Sequence, residues 1–358
     1  LLLERLRLAN FRNYESLDVE PAPGLNVFVG PNAQGKSNLL EAIAMLATGK
    51  SFRAHRESEL IRDGNERGEI AGDARVRAGT IRLRCAIVRS ANTTRKSFDV
   101  NGAAVGFARF LGKARVVTFV PADLQLVAGG PALRRSFLNV ALAQESAAYY
   151  RHLARYQKVI AQKAALLRGA IAPDRDLFLA YNDELRAPGE AIVAARAAFV
   201  AELAAATEAI YARWRGAHER LAVRYAPNSG ERGFAAALAA EAENELRRRQ
   251  TLVGPHRDDL RLEIDGRSLA AYGSQGQQRT AVLALKVAEY EVMRTRAGDA
   301  PILLLDDVLS ELDDERAAGF LGAVGDYEQA FLTTTALPVQ FASGVHAWTI
   351  RAATVRPL

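Results

Sequence analysis

At 358 residues the chain can form one large domain or two packed lobes, and an apolar share of 49% is enough for a sizeable core. A net charge of +6 and a pI of about 9.5 fit a phosphate-rich partner, since a basic surface attracts polyanions over a Debye length; charge spread evenly by an Arg-rich coding style gives the same totals. A lone cysteine, Cys85, excludes an intrachain disulfide, charges at Glu4, Arg5 and Arg7 break any signal-peptide core, and no apolar run approaches the roughly 20 residues of a membrane span, so a soluble, cytoplasmic protein is expected.

Residues 1–30 read as β structure with a turn at Pro21–Gly24, and the apolar run at 25–29 suits a buried parallel strand. A helix is expected to start near Ser37 and run through SNLLEAIAMLAT. Residues 69–120 alternate in short runs, with Asn101–Gly102 as a hairpin turn. Cys85, in the alternating stretch Ile81–Val88, is expected as a core thiol. From Arg134 the composition turns to Ala, Leu, Arg and Glu at helical spacing, broken near Gly169–Pro173, Pro188–Gly189 and Pro227–Gly230. That predicts a helical lobe over 134–250, set into an α/β lobe formed by 1–133 and 251–358. No a/d heptad persists long enough for a long coiled coil. Beyond Gly254, DLRLEI (259–264) alternates into an Asp265–Gly266 turn, a helix opens at Ser274, and 301–307 and 329–335 read as strands.

Gly30-Pro31-Asn32-Ala33-Gln34-Gly35-Lys36-Ser37 fits G-x-x-x-x-G-K-[ST] in full, between a buried strand and an apolar-periodic helix. Glycines let the backbone wrap a phosphate chain, and N–H groups at a helix start face the anion. Lys36 adds a point charge at the β/γ-phosphates of ATP, and Ser37 offers a hydroxyl to Mg2+. The apolar run at 302–305 places Asp306 and Asp307 at the C-terminal edge of a sheet. Asp306 would hold Mg2+ directly or through water, and Asp307 would orient or deprotonate the attacking water.

Ser274-Gln275-Gly276-Gln277, at a helix start, resembles the L-S-G-G-Q signature of ABC ATPases, with Ser274, Gly276 and Gln277 matching and Gly273 and Gln275 departing. A second anion site of this kind points to a sandwich, in which each signature closes on the γ-phosphate held by the other protomer. Ser310-Glu311-Leu312-Asp313 matches the D-loop that lines such a seam. Thr333–Thr335 stands where ABC proteins often carry a γ-phosphate-sensing His; a Thr hydroxyl is the only candidate here, and a plain solvated strand end fits at least as well.

The ordered set NFRNY (10–14), GPNAQGKSNLLEAI (30–43), KSFR (50–53), GGPALRRSFL (129–138), GPHRDDL (254–260), SQGQQRT (274–280), LLLDDVLSELDDER (303–316) and FLTTT (331–335) resembles the bacterial RecF recombination-mediator family over nearly the full chain. The resemblance implies an ABC-type P-loop ATPase head related to SMC proteins, with an inserted helical lobe. It implies an ATP-dependent homodimer on DNA, slow DNA-stimulated hydrolysis, and assistance in loading RecA at gaps or single/double-strand junctions with RecO and RecR. Arg12 and Asn13 join the implied nucleotide contacts, since SMC-like heads touch adenine and the α-phosphate from the N-terminal strand, and Asn38, directly after Ser37, is counted with the P-loop contacts. Asp306-Asp307 departs from the Asp-Glu of most ABC ATPases, as the resembled family does. Where that family usually has an acid after the proline, this chain has Ala122, leaving Asp123, Gln125 or neither as the lobe-linking sensor.

The competing class is the nucleotide-binding subunit of a membrane transporter, which the basic pI, GPHRDDL and the FRNY strand oppose. The arginine groups 53/56, 134/135 and 247–249 are candidate DNA contacts. His256 with Asp258 and Asp259 has the residue types of a metal site but poor spacing for one.

Overall fold

The structure is a computed structural model that describes residues 1–90, 93–215, 218–308, 327–337 and 345–358. Its first segment carries the strands β1 (Leu2–Phe11), β2 (Tyr14–Val19) and β3 (Gly24–Val29), then helix α1 (Lys36–Thr48). There follow β4 (Arg67–Val76), β5 (Gly79–Ser90), β6 (Thr93–Val100), β7 (Ala103–Val105), the short α2 (Phe107–Phe110) and β8 (Val116–Phe119). The middle holds α3 (Gln125–Ala128), α4 (Pro131–Glu145), α5 (Ala147–Arg168), α6 (Arg175–Arg215), β9 (Leu221–Ala226), α7 (Phe234–Ala240) and α8 (Ala242–Arg248). It continues with β10 (Asp259–Ile264), β11 (Arg267–Ser268), α9 (Leu269–Tyr272) and α10 (Gln275–Ala297). The last segment carries β12 (Ile302–Asp306), β13 (Gln329–Thr334), β14 (His346–Arg351) and β15 (Thr354–Pro357).

The chain divides into two compact units: Leu1–Asp123 with Glu289–Leu358, and Leu124–Ala288. The first unit contains two six-stranded sheets. One is antiparallel in the order β2-β1-β4-β5-β6-β7; the other runs β15-β14-β3-β13-β12-β8, parallel except for β15. The β6–β7 turn is the expected Asn101–Gly102, with φ of 55° and 83°. Inside the mixed sheet, all five residues of β12 are buried, as a strand covered on both faces requires. α1 touches β4 and β5 of the antiparallel sheet and β8, β12 and β13 of the mixed one. A helix between two sheets must be apolar on every side, and Leu39 through Thr48 are all buried. Cys85 lies buried in β5 of this core, where burial pushes its thiol pKa up to about 12.

The second unit is not purely helical. A three-stranded sheet, β11-β10-β9, forms part of it, with Leu260 opposite Tyr225. The units therefore part at Leu124 and Glu289, whereas the composition shift falls at 134 and 250. The reason is that β10 pairs with β9 rather than with a strand of either large sheet. The break expected at Pro188–Gly189 is also absent: α6 runs unbroken for 41 residues. Both residues are buried, and Phe234 of α7 packs where a side chain on Gly189 would stand, so that position serves packing instead of ending the helix. α6 also packs against α4, α5 and β9, as part of a globular lobe and not a stalk. Among the described residues no helix is long and apolar enough to cross a membrane.

Candidate functional site

The P-loop joins β3 to α1. Gly35 sits at φ 110°, and a Cβ there would lie 2.8 Å from Asn13 Nδ2, so only glycine fits. Three neighbours brace the loop. Tyr14 donates its hydroxyl to Gly35 O at 3.0 Å. Asn13 Nδ2 reaches Gln34 O at 3.3 Å. From the β14–β15 turn, the N–H of Ala352 bonds Gln34 Oε1 at 2.7 Å and that of Ala353 bonds Gln34 O at 3.1 Å. Ala33 is held at φ 63°, the left-handed kink that turns successive amides inward. Gly30 and Pro31 accept bonds from Lys36 Nζ at 2.7 and 2.9 Å. Asn32, whose carbonyl accepts from Gln34 Nε2, is exposed on the loop's rim. Burial pushes the Lys36 pKa down, while Asp307 and Asp306 push it up. An anionic polyphosphate beside it would push it up further.

Ser37 Oγ donates to Asp306 Oδ1 at 2.7 Å, bringing together two residues 269 positions apart in the chain. The parallel pairing of β12 with β13 sets Asp306 opposite Thr333, whose hydroxyl also donates to Oδ1, at 2.8 Å. Asp307 follows at φ 52°, its N–H bonded to Thr333 Oγ1 at 3.0 Å. A hydroxyl and a carboxylate oxygen so close form a hard-oxygen pair that suits Mg2+, which keeps waters and substrate phosphates as its other ligands. Sequence reasoning marked Thr333–Thr335 as a candidate γ-phosphate sensor but not the bond from Thr333 to Asp306, because a strand register had to be known to see it.

Arg12, at φ 53°, points its guanidinium into a bidentate pair with the buried carboxylate of Glu41, at 2.7 and 2.8 Å. Its Nη1 donates to Glu59 O at 2.9 Å. Its charge is thus matched within the chain. Asn13 instead accepts from Asn38 Nδ2 at 2.8 Å, and Asn38 Oδ1 accepts from Arg53 Nη1 at 3.1 Å, a polar chain along the start of α1.

In the second unit, Ser274 and Gln277 form a reciprocal cap on α10. Ser274 N–H donates to Gln277 Oε1 at 2.8 Å, and Gln277 N–H to Ser274 Oγ at 3.2 Å. Gln277 Nε2 is held by Glu219 Oε1 at 3.1 Å, a partner 58 residues away that no sequence motif marks. The Tyr211 hydroxyl, Arg215 and Gln277 keep the Glu219 carboxyl below its usual range. Gly276 lies in the first turn, its carbonyl accepting from Thr280 Oγ1 at 2.8 Å, and Ser274 is exposed. Asp313 and the rest of the expected D-loop lie outside the described residues.

The arginine groups separate. Arg134 is buried and bidentate to Asp259 at 2.7 and 3.1 Å, so it presents no charge to DNA; the expectation for this residue is corrected. Arg135 donates to Asp258 O at 2.8 Å. Arg53, Arg56 and Arg247 to Arg249 are exposed. The carboxylate of Asp258 accepts from Arg196 at 2.9 Å, from Asn228 N at 2.8 Å and from the Tyr225 hydroxyl, so both its oxygens are engaged. His256 Nδ1 lies 2.7 Å from the Tyr156 hydroxyl. Burial, with Arg257, Arg135, Lys163 and Arg196 nearby, depresses its pKa to about 4. Asp123 Oδ2 turns back to accept from Val120 N at 2.9 Å.

A model of the RecF/RecN/SMC N-terminal domain matches residues 2–344. The DNA replication and repair protein RecF of Symbiobacterium thermophilum is 42% identical over 351 residues, 94% of this chain and 92% of that protein. The chain belongs to the RecF family. The RecF of Halalkalibacterium halodurans is 38% identical, with 99% of this chain and 96% of that protein covered. A solved structure, the recombination mediator protein RecF-ATPrS in the RecFOR pathway, matches with a TM-score of 0.90 at 30% identity, covering 100% of this chain and 98% of that one. An Smc head bound to the C-winged helix domain of ScpA matches with a TM-score of 0.57 at 16% identity, a likeness of fold alone. The fold is the ABC-type ATPase head of RecF and SMC proteins, without a long coiled coil among the described residues, and the transporter-subunit reading is set aside.

Proposed function

We propose that the chain is an ATP-switched DNA clamp of recombinational repair. Two ATP molecules hold a homodimer closed on gapped DNA or single/double-strand junctions, and slow, DNA-stimulated hydrolysis releases it. With RecR and RecO it assists RecA loading, and it works in the cytoplasm. The relatives named for DNA replication and repair, and a solved relative in the RecFOR pathway, support this reading.

In this reading Gly30 through Ser37 wrap the phosphates, Lys36 neutralises the β/γ pair, and Asn38, Arg12 and Asn13 flank the nucleotide. Ser37 and Asp306 hold Mg2+, which when bound neutralises charge on the phosphate oxygens. Asp307 orients the attacking water. Ser274, Gly276, Gln277 and Asp313 serve the partner's nucleotide.

The observation that carries the reading is the 2.7 Å bond from Ser37 Oγ to Asp306 Oδ1, which joins the P-loop to the acidic strand as an ATP–Mg2+ site requires. Lys36→Ala tests it. Losing a charged hydrogen bond of about 1.5–3 kcal/mol should weaken ATP binding on the order of tenfold to a hundredfold, measured by calorimetry. Parental affinity in that variant sinks the P-loop assignment. Sizing the parent with and without ATP–Mg2+ and DNA then tests the clamp.

A further inference from the structure

Thr333 is fully buried in β13, yet its hydroxyl is bonded twice, to both acids that end the neighbouring strand. Its one hydrogen goes to Asp306 Oδ1 at 2.8 Å, and a lone pair accepts the Asp307 N–H at 3.0 Å. Asp306 Oδ1 also takes the Ser37 hydroxyl at 2.7 Å. The Asp306 carboxylate is thereby fixed in rotation by two hydroxyls on one oxygen. The Asp307 N–H would otherwise continue the β ladder. Here it turns to a side chain, and the residue leaves the strand left-handed at φ 52°. A non-glycine residue is strained in that region and persists there only where its surroundings hold it.

We infer that Thr333 is a positioning residue that sets both acids at once: the rotation of Asp306 toward Ser37, and the left-handed exit that aims Asp307. This rests on the ATPase reading above and deepens it. A nonpolar residue at 333 would fit the strand equally well. It would take away the hydroxyl that accepts the Asp307 N–H at 3.0 Å and leave the Asp306 carboxylate with one hydroxyl fewer. Both metal binding and water orientation then depend on one oxygen that touches neither.

The variants Thr333→Val and Thr333→Ser, made in the full chain, test this. Valine keeps the branched shape and removes the hydroxyl; serine keeps the hydroxyl and removes the methyl. Nucleotide affinity without divalent metal should match the parent in both. In Thr333→Val, Mn2+ affinity of the ATP-bound protein, read by electron paramagnetic resonance, should fall about tenfold. Its kcat should fall at least as much with KM little changed, and hydrogen exchange of the 302–308 segment should speed up. Thr333→Ser should recover most of each loss. Parental Mn2+ affinity and kcat in Thr333→Val overturn the inference while leaving the ATPase reading intact. So does equal impairment in both variants, which would make packing and not the hydroxyl the cause. A parent that binds no ATP brings down both.

Discussion

Replacing Ser274 with Arg separates two roles for this residue. Within the chain, Ser274 is an N-cap: it accepts the Gln277 N–H at 3.2 Å, while Gln277 accepts the Ser274 N–H at 2.8 Å. Losing such a cap costs about 0.5–2 kcal/mol. Domains are stable by roughly 5–15 kcal/mol, so the fold should survive with a melting point lower by about 2–4 °C per kcal/mol lost. Ser274→Ala removes the cap without adding bulk and serves as the reference. Because Ser274 is exposed, a larger side chain can extend into solvent. In the proposed sandwich, the same position faces the nucleotide on the other protomer's Lys36, and an arginine there blocks closure. Both variants should melt within a few degrees of each other and bind ATP normally. Light scattering after gel filtration should show Ser274→Arg failing to dimerise with ATP–Mg2+, together with loss of DNA-stimulated hydrolysis. Mixed with Lys36→Ala, it forms dimers with one doubly lesioned site and one intact site, so partial hydrolysis should return. If Ser274→Arg dimerises and hydrolyses like the parent, the residue is a helix cap and nothing more.

Asp307→Asn should retain ATP and Mg2+ while kcat falls by roughly a hundredfold or more, the range of a lost general base, so that the ATP-bound dimer accumulates; a parental rate removes Asp307 from the chemistry. DNA affinity should fall steeply with salt, with a log–log slope near −0.9 per phosphate contact on duplex, and should depend little on base sequence; a flat salt response contradicts a clamp built on backbone charge. His256 has its folded pKa depressed from 6.5 to about 4, so above 6.5 both states are neutral and no stability is lost. As pH falls from 6.5 to 4, the unfolded chain takes up a proton that the folded chain refuses, and stability drops by up to about 3 kcal/mol. His256→Gln should flatten that part of the pH profile in urea unfolding, and an unchanged difference between pH 7 and pH 5 refutes the assignment.

Much of the first unit was legible because its signals are local. A strand, a glycine-rich turn and a helix lie within Leu25–Thr48, and the apolar run at 302–305 ends directly on its acids. What the sequence hid was pairing at a distance. Arg134 reads as a surface charge until Asp259, 125 residues on, is folded against it. The pairing of Arg12 with Glu41 was equally hidden, because no periodicity marks that acid of α1 as buried. Pro188 and Gly189 carry the composition of a break, but burial against Phe234 overrides it. β14 and β15 went unread because His346–Arg351 alternates weakly and only half buries its side chains.

Those last strands bear on how the site is assembled. The candidate nucleotide site draws on the β1–β2 turn through Asn13, on the P-loop, on Asp306 and Thr333, and on Ala352 and Ala353 through Gln34. These pieces come from both ends of a unit whose two segments, Leu1–Asp123 and Glu289–Leu358, are separated by the whole second unit. Each segment alone holds only part of the site, and Asp306 meets Ser37 only when both have docked in the mixed sheet. A ligand that binds only this assembled arrangement stabilises it by mass action, by about 2.7 kcal/mol at a hundredfold excess over Kd. ATP bound here would act as a clasp between the two ends of the chain. Its release would remove that share of stability from the contacts that join β3, β13 and β12.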